Sequence, residues 1–261
     1  MDLSLKGKKA MVCGSTQGIG KATAIELAAL GAQIVLFSRS QEKLQEVMSQ
    51  LAEVETPHEI ITADFSHPAE VKEAITSYVD EQGGAHILIN NTGGPPAGRG
   101  IDADPEEYRV AFNLHLISNQ VNAQALVPFM IRENYGRIIN IISTSVKEPI
   151  SGIGVSNTIR GSVASWSKTL AGELGEYGIT VNNILPGSTS TNRLEAIFQA
   201  RASKLGYEIE DVREAARKEI PLKRFASSDE VANAIAFLAS PAASYISGIN
   251  LPVDGGRTGC L

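Results

Sequence analysis

Gly14-Ser15-Thr16-Gln17-Gly18-Ile19-Gly20 decides the reading of this 261-residue chain. The stretch follows the apolar run Ala10-Met11-Val12-Cys13 and opens the helical segment Lys21–Leu30. A strand that turns on glycines into a helix is a site for phosphate. Gly14 permits the tight turn, and Gly18 and Gly20 lack the Cβ that would keep a pyrophosphate, and the helix, away from the strand. The helix N-terminus offers that anion unpaired N–H groups and a partial positive charge. The spacing is G-x-x-x-G-x-G, not G-x-G-x-x-G. Lys21 does not turn it into a P-loop, because that motif needs Gly at position 15 and Ser or Thr at 22, where the chain has Ser15 and Ala22. A nucleotide triphosphatase is therefore disfavoured.

Composition narrows the class further. Hydrophobic residues make up 43% of the chain, enough for a substantial core, and 23 basic against 29 acidic residues leave a net charge of −6. That balance argues against nucleic acid or an anionic membrane as partner. No apolar run approaches the ~20 residues of a membrane span, and no basic-then-apolar leader opens the sequence. The expectation is a soluble cytoplasmic protein without a membrane partner. Cys13 and Cys260 do not form a disulfide framework, and His58, His67, His86 and His115 show no ligand spacing, so no metal is expected.

Apolar runs alternate with amphipathic segments for most of the length. Strands are expected near 8–13, 33–37, 59–63, 86–90, 136–142, 179–185 and 249–252. Helices are expected near 18–30, 40–52, 68–82, 104–134, 155–176, 191–219 (broken) and 228–239. This alternation predicts right-handed βαβ units in one doubly wound, Rossmann-type α/β domain over 1–261, with helices on both faces of a parallel sheet. Ligands bind such sheets beyond the C-terminal strand ends. Ser38-Arg39, Asp64-Phe65, Asn90–Gly94, Ser143-Thr144-Ser145 and Pro186-Gly187 all fall there.

In that order, these stretches resemble the short-chain dehydrogenase/reductase family, from about Leu5 to Gly256. The family's Asn-Asn-Ala-Gly appears as Asn90-Asn91-Thr92-Gly93, its catalytic Asn matches Asn113, and its catalytic Ser matches Ser143. Gly178-Ile179-Thr180-Val181-Asn182 leading to Pro186-Gly187, and Val253-Asp254-Gly255-Gly256, match its later signatures. Among its branches the chain is most similar to 3-oxoacyl-acyl-carrier-protein reductases. The resemblance implies a nicotinamide cofactor on Gly14 to Gly20, with Asp64 and Phe65 at the adenine and Asn91, Thr92 and Gly93 at the ribose. Pro186, Gly187, Thr189 and Thr191 would lie at the nicotinamide and pyrophosphate. Asp64 has a second reading, as the strand end with Ser66 capping the next helix.

The departure is in the catalytic pair. The family's Tyr falls on Ser156 and its Lys, four residues on, falls on Arg160. No Tyr lies between Tyr135 and Tyr177, so a shift of register cannot restore the motif. Reducing a ketone needs a proton donor at the developing alkoxide, which a phenol beside an ammonium supplies near neutral pH. An aliphatic hydroxyl is a much weaker acid, and a guanidinium does not readily release a proton. Ser143, Ser156 and Arg160 can together polarise a carbonyl, and Arg160 can hold the nicotinamide ribose. The proton would come through water, Lys147 or His115. The alternative is a protein that binds cofactor without turnover.

After the second strand, NAD-preferring relatives place an acid for the ribose 2′-hydroxyl. Here the position holds Ser38, followed by Arg39, with no carboxylate before Glu42. NADP(H) is therefore expected over NAD(H). The segment 188–221 matches the family's substrate lid. The substrate is expected to be a small-molecule or acyl-thioester carbonyl compound. The resemblance also implies a homotetramer, paired through helices 104–134 and 155–177 and the last strand, with Val163, Trp166 and Leu170 as an apolar seam.

Overall fold

A computed structural model describes residues 1–260 of the chain. Seven strands, β1 (Lys9–Cys13), β2 (Gln33–Ser38), β3 (Glu59–Thr62), β4 (Ile87–Asn90), β5 (Gly136–Ile141), β6 (Ile179–Pro186) and β7 (Asn250–Val253), form one sheet in the order β3-β2-β1-β4-β5-β6-β7. Every pairing is parallel. The chain reverses its direction of winding between β1 and β4, which opens a crevice at their C-terminal ends.

Period-2 alternation divides the strand side chains between two cores. Ala10, Val12, Ile34, Leu36, Ile87 and Ile89 pack on one face with α1 (Gly18–Ala29), α2 (Gln41–Met48) and α9 (Ser228–Ala239). Met11, Cys13, Val35, Phe37, Leu88, Ile138 and Val181 pack on the other with α3 (Pro68–Gln82) and α5 (Ser118–Arg132). Both faces are covered, which is why these strands read as near-continuous apolar runs.

The single helix expected over 104–134 is interrupted. It comprises α4 (Pro105–Phe112), a π turn over Asn113–Ile117, and α5. The π turn contains Asn113 and His115, two residues of the candidate site, and such turns recur at functional positions. The helix α6 (Gly154–Leu174) follows a 3-10 turn at Thr144–Val146, and the broken segment resolves into α7 (Asn192–Leu205) and α8 (Ile209–Lys218). A second correction concerns Ser66. It does not cap α3, whose N-cap is His67 with Pro68 in the first turn; instead its amide and hydroxyl bond back to Asp64 Oδ1 at 2.9 and 2.7 Å.

Candidate active site

The glycine loop has no room for larger residues. A Cβ on Gly14 (φ +58°) would meet Asn91 O at 2.4 Å, and one on Gly20 would meet Gly14 O at 2.2 Å. Asn91 ties the loop to the end of β4, donating from Nδ2 to Gly14 O at 3.2 Å. Gln17 stands at the N-cap of α1 in extended conformation and its side chain caps nothing, so the first N–H groups of the helix keep their capacity for an anion. Ser15 Oγ is fully buried without a hydrogen-bond partner. A buried orphan hydroxyl beside an uncapped helix N-terminus suits the pyrophosphate of a dinucleotide. The N-cap of α7, Thr191, sits over Gly18, where an added Cβ would lie 3.2 Å from Thr191 Cγ2. Pro186 and Gly187 end β6 beside it, and Thr189 is buried with its hydroxyl on Gly187 O.

At the adenosine end, Ser38 closes β2 and Arg39 follows with 76% of its side chain exposed, 3.5 Å from Asp64 Oδ2. Burial raises the Asp64 pKa, but the Ser66 hydroxyl and amide, with Arg39, outweigh it and hold the carboxyl below its ordinary value. The expected cation is thus present, but leaning on the residue expected at the adenine. Phe65 turns its ring into the core against Phe37, 4.8 Å between centroids, and its carbonyl accepts from the buried Ser118 hydroxyl at 2.8 Å.

The residues expected at the reacting end gather on and around α6. Ser156 and Arg160 stand one turn apart on one face of the helix, both buried. Arg160 Nη1 donates to Ile141 O at 2.6 Å, at the end of β5 two residues before Ser143, while its Nε is buried without a partner. Ser143 caps the 3-10 turn, its Oγ accepting from Ser145 N at 3.1 Å. The π turn that starts at Asn113 and the 3-10 turn after Ser143 both pack on α6. Burial, and then the charge of Arg193, lower the Arg160 pKa to about 10, which still leaves a cation at neutral pH. Tyr108, which packs with Val155 and Ile159 at the start of α6, donates its hydroxyl to Gly100 O at 3.3 Å.

Two contacts here were not legible in the sequence. His115 is 2% exposed; its Nδ1 lies 2.6 Å from Thr92 Oγ1 and its Nε2 has no partner. Burial first, then Arg160 and Arg193, hold its pKa well below the ordinary imidazole value, so the ring is neutral. Arg193, near the start of α7, donates to Gly94 O and Pro95 O at 2.8 and 3.1 Å and so ties the lid segment to the rim of the site. Thr92, at the family's Ala position, was the one available signal for the first contact.

A third feature lies beneath the site. Asn90, Asn140, Asn183 and Asn250 stand in register across β4, β5, β6 and β7. Their amides bond head to tail, Asn90 to Asn140 at 2.9 Å, Asn140 to Asn183 at 3.0 Å and Asn183 to Asn250 at 2.8 Å. A satisfied buried network of this kind fixes strand register. It lies directly before Asn91 and just before Ser143, so it holds both at defined heights.

The chain belongs to the short-chain dehydrogenase/reductase family. The family model described as enoyl-(acyl carrier protein) reductase matches residues 14–258. An uncharacterized oxidoreductase of Bacillus subtilis, YvrD, is 33% identical over 260 residues, covering 98% of each chain. The 3-oxoacyl-[acyl-carrier-protein] reductase FabG of Staphylococcus epidermidis is 30% identical, covering 95% of this chain and 98% of its own. Among solved structures, L-sorbose reductase from Gluconobacter frateurii, in complex with NADPH and L-sorbose, superposes with a TM-score of 0.93 at 32% identity and full coverage of both chains. The family and its Rossmann-type sheet are thus as the sequence implies.

Among the described residues no helix is long and apolar enough to cross a membrane, and no group of three or more His, Cys, Asp or Glu side chains is placed to hold a metal ion.

Proposed function

We propose that this protein is an NADP(H)-dependent oxidoreductase that interconverts a carbonyl and an alcohol, with Ser143, Asn113, Ser156 and Arg160 as an atypical catalytic set. The observation that carries the reading is Arg160, a buried cation at the end of β5 with no acidic partner among the described residues. Burying an unpaired charge costs several kcal/mol, so on this reading it serves a ligand. The glycine loop, the orphan Ser15 hydroxyl and the uncapped start of α1 support a dinucleotide in the same cleft.

When bound there, the nicotinamide cofactor would supply or accept the hydride. Ser143 Oγ donates to the carbonyl oxygen, and Arg160 holds the nicotinamide ribose hydroxyls and stabilises negative charge developing nearby. Asn113 holds a water of the proton path, and Ser156 occupies the position of the family's tyrosine. Arg39, exposed and in a weak ion pair with Asp64, is free to turn to a 2′-phosphate, and Ser38 does not repel one. The segment 188–221 acts as a lid latched by Arg193. The expected seam does not hold as drawn: Val163 is fully buried against Ile142 and Leu185, and Trp166 and Leu170 pack on cores of their own subunit, so exposed Val110 and Phe112 on α4 and Ile131 on α5 would supply the apolar surface for a homotetramer. The protein works in the cytoplasm on a small-molecule or acyl-thioester carbonyl.

Loss of NADPH absorbance against a panel of ketones, with protein titrated, tests this. The expected result is consumption proportional to protein. NADPH binding without consumption would leave the competing reading, a cofactor-binding protein without turnover, which the missing tyrosine favours.

A further inference from the structure

A cavity of about 280 Å³ adjoins the candidate site at Thr144. Its walls come from three places: the loop after β5, the end of the lid segment and the C-terminal tail. Thr144 and Ser151 give hydroxyls, Glu148 and Glu219 give carboxylates, and Arg257 and Thr258 complete the lining from the tail. Among the described residues, Pro149 and Ile150 are its only apolar side chains. Arg257 Nη2 sits 3.0 Å from Glu219 Oε2, and Gly259 N lies 3.5 Å from Glu148 Oε2, so tail, lid and loop close around one space.

Two links connect this space to the reacting groups. Thr144 directly follows Ser143. Asn157, next to Ser156, donates from Nδ2 to Ile150 O at 2.8 Å and fixes the loop to α6. A molecule presenting its carbonyl to Ser143 and Ser156 would extend along this wall.

The lining then selects the chemistry. An acyl chain placed here would strip water from two carboxylates and a guanidinium without replacing their hydrogen bonds. An anionic substrate end would meet two carboxylates against one guanidinium. Hydroxyl groups satisfy all of them, donating to Glu148 and Glu219 and accepting from Arg257. The volume lies at the small end of the ~300–1,000 Å³ of small-molecule sites.

We propose that this cavity receives the distal end of the substrate and that the substrate is a small, neutral, polyhydroxylated ketone or alcohol, not an acyl thioester. The proposal rests on the oxidoreductase reading for the reacting end, but the cavity can be tested by binding alone.

The test is calorimetric titration of the NADP⁺-loaded protein with neutral hexitols and ketohexoses, an aldonate and a 3-oxobutyryl thioester. NADPH absorbance is followed separately with the ketohexoses and the thioester. The neutral polyols and ketoses are expected to bind best. Glu148→Leu and Arg257→Met should each weaken them about tenfold, one hydrogen bond to a charged group, with NADP⁺ affinity unchanged. Preference for the thioester or the aldonate, no polyol binding, or polyol binding indifferent to both substitutions would each overturn the proposal. Thioester turnover without polyol binding would refute the cavity and leave the oxidoreductase reading standing. Polyol binding sensitive to both variants, with no cofactor consumption, would do the reverse.

Discussion

At the adenosine end of the cleft, Arg39 leaves 76% of its side chain in solvent and has Asp64 at 3.5 Å. At the reacting end, Arg160 is 8% exposed, donates to one backbone carbonyl and has no acid beside it among the described residues. The first cation is exposed and screened by solvent. The second is desolvated and held; its charge reaches His115, and the charge of Arg193 reaches it. On the proposed reading the same residue type therefore has different meanings: Arg39 would set a preference between two cofactors, whereas Arg160 would belong to the chemistry. Substitutions at the two ends should separate accordingly.

The largest effect is expected from restoring the family pair at the buried end. Ser156→Tyr with Arg160→Lys should raise ketone turnover by ~10²–10⁴-fold, the usual scale of general acid catalysis. Either change alone should do less, because the phenol needs the ammonium to lower its pKa. A folded, NADPH-binding double variant with no gain on several ketones would break the comparison, since the site would then have diverged beyond its acid.

Arg160→Met sharpens it from the other side. Removing a buried unpaired cation for an apolar chain should leave unfolding free energy unchanged or raise it by ~1–4 kcal/mol, while NADPH affinity and turnover fall. Denaturant titration and calorimetry on one preparation measure both. A loss of stability together with intact cofactor binding would mean that Arg160 is structural.

The buried end should also carry a pH dependence. The folded-state pKa of His115 lies below its unfolded value, so as pH falls the unfolded chain takes up the proton first. The contribution is fully present above the unfolded pKa of ~6.5 and is lost progressively below it, at up to ~1.4 kcal/mol per pH unit. His86, lowered by burial and then by Lys8, acts in the same direction. Urea midpoints at pH 7 and pH 5 should therefore converge in His115→Gln relative to the parent, leaving the His86 share. An unchanged difference would remove His115 as the source.

The smallest effect on stability belongs to the exposed end. Arg39→Asp should shift unfolding free energy by less than ~1 kcal/mol, because exposed ion pairs contribute little. It should nevertheless reduce preference for NADPH over NADH by about tenfold, one charge-assisted contact. Equal affinities of the parent for both cofactors would end the argument from Arg39.

Much of the fold was legible because its signals are local. Gly14 to Gly20 must turn as they do wherever they occur, and the apolar runs that predict β1 to β7 differ from the observed strands by a residue or two. Errors arose where local and tertiary demands compete. The run 104–134 is apolar at helical spacing throughout, yet it takes a π turn at Asn113 that packs against α6. Ser66 has the chemistry of a helix cap but sits within reach of Asp64, whose carboxylate claims it.

The sequence by itself determined the strand–glycine–helix unit, the alternating elements, the absence of Tyr at position 156 and the replacement of Lys by Arg160. Only the tertiary structure decided which charges are paired. It brought Arg39 to Asp64, left Arg160 on a backbone carbonyl with no acid among the described residues, set His115 against Thr92, and aligned Asn90, Asn140, Asn183 and Asn250 into one buried row. The physical reason is distance along the chain. Turn and periodicity preferences act over a few residues, whereas these contacts join segments brought together by the order of strands in the sheet, and the burial that gives each its electrostatic weight exists only once that sheet has closed.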